Sequence, residues 1–86
     1  MMPPADRDAV YKEITPIFRS VFGNETLQLS YQLSAKDVAQ WDSLSYINLI
    51  VAIEMRLGIK FGMGEIAGLA NVGELVDVIL KKLRKT

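Results

Sequence analysis

Three stretches of this chain repeat apolar residues at the spacing of an α-helix, and glycines stand where two of them should stop. In the first, Val10, Ile14, Ile17, Phe18, Val21 and Phe22 recur three and four residues apart, which makes one apolar stripe facing a core. Asp6 or Ala5 can open this helix, placed at about residues 5 to 22. Gly23-Asn24 ends it, since both residue types tolerate the left-handed conformation of a helix stop. Pro16 lies inside the stripe and lacks the amide that would bond the carbonyl of Lys12, so a kink near Pro16 or a split at Thr15 is expected. Residues 1 to 4, with Pro3-Pro4, are expected to fray.

The last stretch, Val72, Leu75, Val76, Ile79, Leu80 and Leu83, predicts an amphipathic helix over about 72 to 84. Asn71 with Glu74 three residues on matches a capping box at its start. Lys81, Lys82, Arg84 and Lys85 crowd its end, where the macrodipole favours positive charge. The middle stretch is ambiguous alone, because the β-branched residues between Tyr46 and Ile53 suit a buried strand as well as a helix. Leu44, Ile47, Val51 and Met55 at three- and four-residue spacing, a cap at Asp42 or Ser43, and Gly58 just past Leu57 decide for a helix over about 43 to 57. Gly62 and Gly64 flank Met63, leaving room for a short helix at about 63 to 68.

Residues 24 to 40 show no sustained period, and the loop is placed at 23 to 41. Leu27, Leu29, Tyr31, Leu33 and Val38 are too apolar to stand free, so the loop is expected to lie plastered on the helices. Ser34 with Lys36, Asp37 and Val38 can form one capped turn within it. The expectation is a single all-α domain over 1 to 86, with three longer helices, one short third helix and a long loop between the first two.

Composition narrows function by exclusion. The chain has 86 residues, half of them apolar, with no cysteine and no histidine, which is enough for a core but leaves no thiol nucleophile, imidazole base or usual zinc ligand set. The carboxylates are scattered singly, without a spacing that forces two onto one face. An enzyme is therefore not expected, nor a metal site. Ten basic residues balance ten acidic ones, so no global field steers the chain toward nucleic acid, and the basic residues line no recognition helix. No apolar run approaches a membrane span, so no membrane insertion is expected and a cytoplasmic monomer is.

Trp41-Asp42-Ser43-Leu44-Ser45 carries the most specific signal. An Asp-Ser-Leu at the start of a second helix, set between a long loop, an apolar helix through Glu54, the Gly58-Ile59-Lys60-Phe61 exit and a closing helix after Asn71-Val72, resembles the acyl carrier protein family over nearly the whole chain. The resemblance implies an acyl-carrier-like four-helix bundle. It also implies that Ser43 bears a covalent 4'-phosphopantetheine from coenzyme A. Asp42 would then be a helix cap or a contact for the phosphopantetheinyl transferase, and Leu44 an inward-turning anchor of the helix start. Partners would be that transferase and an acyl or aminoacyl ligase, synthase or transferase. A serine in the first helical turn suits this independently, because its hydroxyl stands outside the packed face and the positive helix end tolerates a phosphate. The bland alternative is an unmodified helical interaction module in which Asp42 and Ser43 only cap a helix.

Two departures from the family bear on subtype. Ser45, Asn48, Met55 and Arg56 stand where acidic residues would be expected, leaving Glu54 and Asp42 as the negative charges of the second helix. Steering by charge should be weak and docking should lean on apolar contact, with Tyr46, Glu54, Met55 and Met63 as candidate docking residues. Gln40-Trp41 replaces the glycine-containing approach common in the family; Trp41 is read as a structural anchor. Together they point to a specialised carrier of a lipid, polyketide or aminoacyl-transfer pathway. Leu44, Ile47, Val51, Ile59, Phe61, Leu69, Val72 and Leu75 could line a cavity between helices or close-pack.

Overall fold

The computed structural model describes residues 6 to 84; the expectations for residues 1 to 4, Ala5 and Lys85 lie outside them. Four helices follow one another: α1 (Arg7–Phe22), α2 (Ser43–Leu57), α3 (Met63–Ala67) and α4 (Val72–Arg84). The all-helical expectation is met, and α1 packs against both α2 and α4.

Local chemistry sets the helix ends. Asp6 caps α1 by accepting the Ala9 amide at 2.8 Å, which satisfies one of the orphan donors of the first turn. Gly23 and Gly58 end α1 and α2 with φ of 63° and 67°, values a side chain would disfavour. Pro16 does not split the first helix, which runs unbroken from Arg7 to Phe22. Pro16 lies on the exposed side, where water can serve the carbonyl that its missing amide leaves unbonded. One turn earlier, the Thr15 hydroxyl donates to the Tyr11 carbonyl at 2.6 Å.

At α4 the capping box is only half formed. Asn71 Oδ1 accepts the Glu74 amide at 2.9 Å, but the Glu74 carboxylate reaches back to the Ala70 amide, 3.1 Å away. The next free amides are taken by the long loop. Val72 donates to the Leu33 carbonyl and Gly73 to the Tyr31 carbonyl, at 2.9 and 2.8 Å. These bonds explain how a loop without helical period stays fixed, as α4 supplies the orphan donors and the loop the carbonyls. Leu27, Leu29 and Leu33 pack on the core and Val38 is buried within it. Ser34 and Asp37 close the expected turn, the Asp37 carboxylate accepting the Ser34 amide at 3.0 Å.

The core is Val10, Ile14, Phe18 and Phe22 from α1, Leu49, Ile50 and Ile53 from α2, and six apolar side chains of α4, with Val38 and Ile59. Here the structure corrects the reading of α2. Leu44, expected to turn inward as an anchor, is 70% exposed, and Ile47, Val51 and Met55 share its outward face. The buried stripe is Leu49, Ile50 and Ile53, flanked by half-buried Tyr46 and Leu57. At 3.6 residues per turn the two stripes lie roughly 150° apart. Both satisfy helical spacing, and the one that α1 and α4 cover is the core. Leu44, Ile47 and Val51 consequently line no space between helices, whereas Ile59, Val72 and Leu75 are buried and Phe61 and Leu69 pack half-buried on the core.

Tyr31 ties the loop to both outer helices. Its ring covers the Gly73 Cα so closely that a Cβ there would collide with the ring carbons. The Arg7 guanidinium lies over the same ring, 5.4 Å from its centroid, and Arg7 also pairs with Asp77 of α4. Gly73→Ala is expected to drive the ring off its seat and to cost about 1 to 3 kcal/mol in urea unfolding. Gly64→Ala, which meets open space, should be neutral or slightly stabilising; equal losses in the two variants would refute the close contact. The phase of α2 has its own check. Leu49→Ala should cost about 2 to 5 kcal/mol, and Leu44→Ala less than about 0.5 kcal/mol, as expected of an exposed position.

Candidate functional site

The site lies at the start of α2, and the chain reaches it through Trp41. That indole packs edge-on against Phe18 and tilted against Phe22, with ring centroids 5.8 and 5.5 Å apart. It also stacks on Tyr46 at 6.1 Å. Trp41 is the structural anchor the sequence suggested, fixing the backbone two residues ahead of Ser43.

Asp42 is the N-cap. Its backbone is extended and its Oδ1 accepts the Ser45 amide at 2.8 Å, while its carbonyl accepts the Tyr46 amide at 2.8 Å. The bond from the Ser45 amide holds the Asp42 carboxyl below its ordinary 3.8, because the ionised form is the better acceptor. Ser43 is the first residue of the helix and is exposed. Of the two residues that could have capped α2, Asp42 does so, and the Ser43 hydroxyl takes no part in the cap.

Beside Ser43 runs a surface groove of about 440 Å³, lined by Ala35, Trp41, Asp42, Ser43, Tyr46, Ile66, Ala67, Leu69 and Ala70. Sequence reasoning missed α3's share of it. Alanines 67 and 70 carry no signal of their own, and only the fold brings α3 against the start of α2. Tyr46 crosses between the two helices, its hydroxyl donating to the Ile66 carbonyl at 2.8 Å. Burial pushes the Tyr46 phenol above its ordinary 10.0, so it remains a donor through the neutral range.

The expected docking residues divide. Met55 and Met63 stand out at 80% and 82% exposure, and Leu44, Ile47 and Val51 are exposed as well. Tyr46 faces α3 instead, because its position in the helix places it beside the buried stripe. Glu54 is occupied within the fold, its carboxylate accepting the Phe61 amide at 2.8 Å. Arg56, the basic replacement on this helix, pairs with Glu13 of α1 at 3.0 Å. Among the described residues no group of histidine, cysteine, aspartate or glutamate could hold a metal ion, and no helix is long and apolar enough to cross a membrane.

The bundle thus presents an exposed serine at the start of α2 beside an open groove. Residues 12 to 79 match the family model for the phosphopantetheine attachment site. The chain is 31% identical over 78 residues to the meromycolate extension acyl carrier protein of Mycobacterium tuberculosis, covering 91% of this chain and 68% of that one. It is 25% identical over 79 residues to an acyl carrier protein of Thermotoga maritima, covering 92% and 98%. Among solved structures, a holo acyl carrier protein of Geobacter metallireducens superposes with a TM-score of 0.80 at 46% identity, over 92% of this chain and 86% of that one. The chain belongs to the acyl carrier protein family, whose members bear a covalent 4'-phosphopantetheine and are carriers, not enzymes.

The cap predicts a pH dependence. With its carboxyl pKa lowered by folding, Asp42 contributes stability that is full above its ordinary 3.8 and is lost as pH falls through the lower folded value. Asp42→Asn keeps an acceptor but cannot titrate. The Tm difference between the protein and Asp42→Asn should be constant through neutral pH and change only in acid, as followed by circular dichroism. A difference that shifts between pH 6 and about 8, where no carboxylate of ordinary pKa titrates, would contradict the assignment.

Proposed function

We propose that Ser43 is the attachment residue, joined through its Oγ to the phosphate of 4'-phosphopantetheine, and that the chain presents an acyl group to the enzymes of a specialised pathway. The observation that carries this reading is the division of labour at the α2 start. Asp42 does the capping, so the exposed Ser43 hydroxyl is left for a modifying enzyme. The neighbouring residues fit the group: the positive end of α2 favours its phosphate, and the groove offers its chain apolar walls. When bound, the arm supplies a thiol that holds the acyl group as a reactive thioester.

The partners are a phosphopantetheinyl transferase and the ligases, synthases or transferases that load and unload the arm. Docking rests on Leu44, Ile47, Val51 and Met55, an outward apolar strip of the helix that Ser43 begins, and on exposed Met63 of α3; the basic neighbour Arg56 is already paired. Association should therefore depend on shape and apolar burial more than on charge. A lipid cargo is favoured over an aminoacyl one, because the similar mycobacterial protein is described as a carrier for meromycolate extension.

Incubation with coenzyme A, magnesium and a broad-specificity transferase should raise the intact mass by one phosphopantetheine. Ser43→Ala should show no gain while its far-ultraviolet circular dichroism stays unchanged. An unmodified wild-type chain would favour a helical interaction module that keeps the fold without the arm. Val51→Lys should lower the rate of transfer from a cognate synthase without altering unfolding, and that rate should change little between low and physiological salt.

A further inference from the structure

An acyl chain hung from Ser43 has two apolar destinations in this protein. One is the interior beneath α2, where Ile53, Val72, Leu75 and Ile79 are fully buried. The other is the outer groove, with Ser43 on its margin and Trp41, Ala67, Leu69 and Ala70 along it. Tyr46 stands between them. Its ring stacks on Trp41, which is itself held by Phe18 and Phe22 of α1. At the other end its hydroxyl is bonded to the Ile66 carbonyl of α3 at 2.8 Å. Moving this side chain aside would undo a ring stack and its bond to the Ile66 carbonyl, which would keep only the backbone amides of Gly68 and Leu69.

We infer that Tyr46 positions the cargo of this carrier: it bars the passage between α2 and α3 and lays the acyl chain in the outer groove, along Trp41 and Leu69, outside the core. The inference rests on Ser43 being the attachment residue. It sets a consequence for cargo. A chain held in an open groove is not measured against a closed volume, so the carrier accepts short and long acyl groups alike, and the thioester stays on the surface for a docking enzyme. Selection among cargoes then falls to those enzymes.

The test uses the full chain loaded from butyryl-, octanoyl- and dodecanoyl-coenzyme A by a broad-specificity transferase, with loading verified by intact mass. Failure to load refutes the attachment reading at that stage and is distinct from any later result. For the loaded wild type, Tm should change little with chain length, because an open groove covers only one side of the acyl chain. The Trp41 indole and the Ala67 and Ala70 methyl resonances should shift between butyryl and octanoyl forms, with those of Ile53 and Ile79 unmoved. In Tyr46→Ala the passage opens, so Tm should rise from butyryl to dodecanoyl and the Ile53 and Ile79 methyls should shift. A wild-type Tm that climbs with chain length, with movement of the core methyls, overturns the inference. So does a folded Tyr46→Ala that behaves as the wild type does. Should the alanine variant not fold, the wild-type series decides alone.

Discussion

The packing of Trp41 on α1 is the contact on which the site depends. A long loop would ordinarily leave the start of the next helix free to wander, since closing such a loop imposes little direction of its own. Here the indole is wedged against Phe18 and Phe22, two core residues of α1, and the following residue caps α2. The position of Ser43 is thus inherited from the core through one side chain. The same indole sets the Tyr46 ring, and Tyr46 sets α3 through the Ile66 carbonyl. A helix of only five residues has almost no stability of its own, so this bond and the Lys82–Glu65 ion pair with α4, 2.7 Å long, hold it against the bundle.

What could be read from sequence follows the range of the forces involved. Caps and stops are local, and Asp6, Gly23, Gly58 and Asn71 act where residue type alone placed them. The apolar faces of α1 and α4 were legible because each helix has a single apolar stripe. In α2 the signal fails for a physical reason. Leu44, Ile47, Val51 and Met55 form one helical stripe, and Tyr46, Leu49, Ile50, Ile53 and Leu57 form another. Periodicity cannot rank two stripes; only the helices packed against them can. The groove was illegible for a different reason, as it is made of alanines and a backbone carbonyl brought together by folding.

The charge pattern of α2 gains a structural meaning from its partners. Glu54 and Arg56 are its charged residues, and both are engaged, one with the Phe61 amide and the other with Glu13. An exposed ion pair such as Arg56–Glu13 contributes little to stability. The effect of both contacts is to remove free charge from the side of the molecule that carries the apolar strip. On the proposed docking face a partner would meet Leu44, Ile47, Val51 and Met55 without a strong field around them, which would limit long-range steering and leave recognition to surface shape.

Under the proposed attachment at Ser43, two adjacent residues at the α2 start have opposite requirements, and this explains their order. A cap must turn its side chain back over the first turn and stay there, which Asp42 does with an ionised oxygen on the Ser45 amide. An attachment residue must project outward and accept a phosphodiester without disturbing the helix. Were the serine itself the cap, esterification of its hydroxyl would crowd that bond and loosen α2, and with it the Tyr46 contact to α3. With aspartate at the cap and serine one residue later, modification leaves the cap intact. In that proposal the arm is added to a helix start that is already formed, and a barring Tyr46 needs no rearrangement to receive what the arm carries.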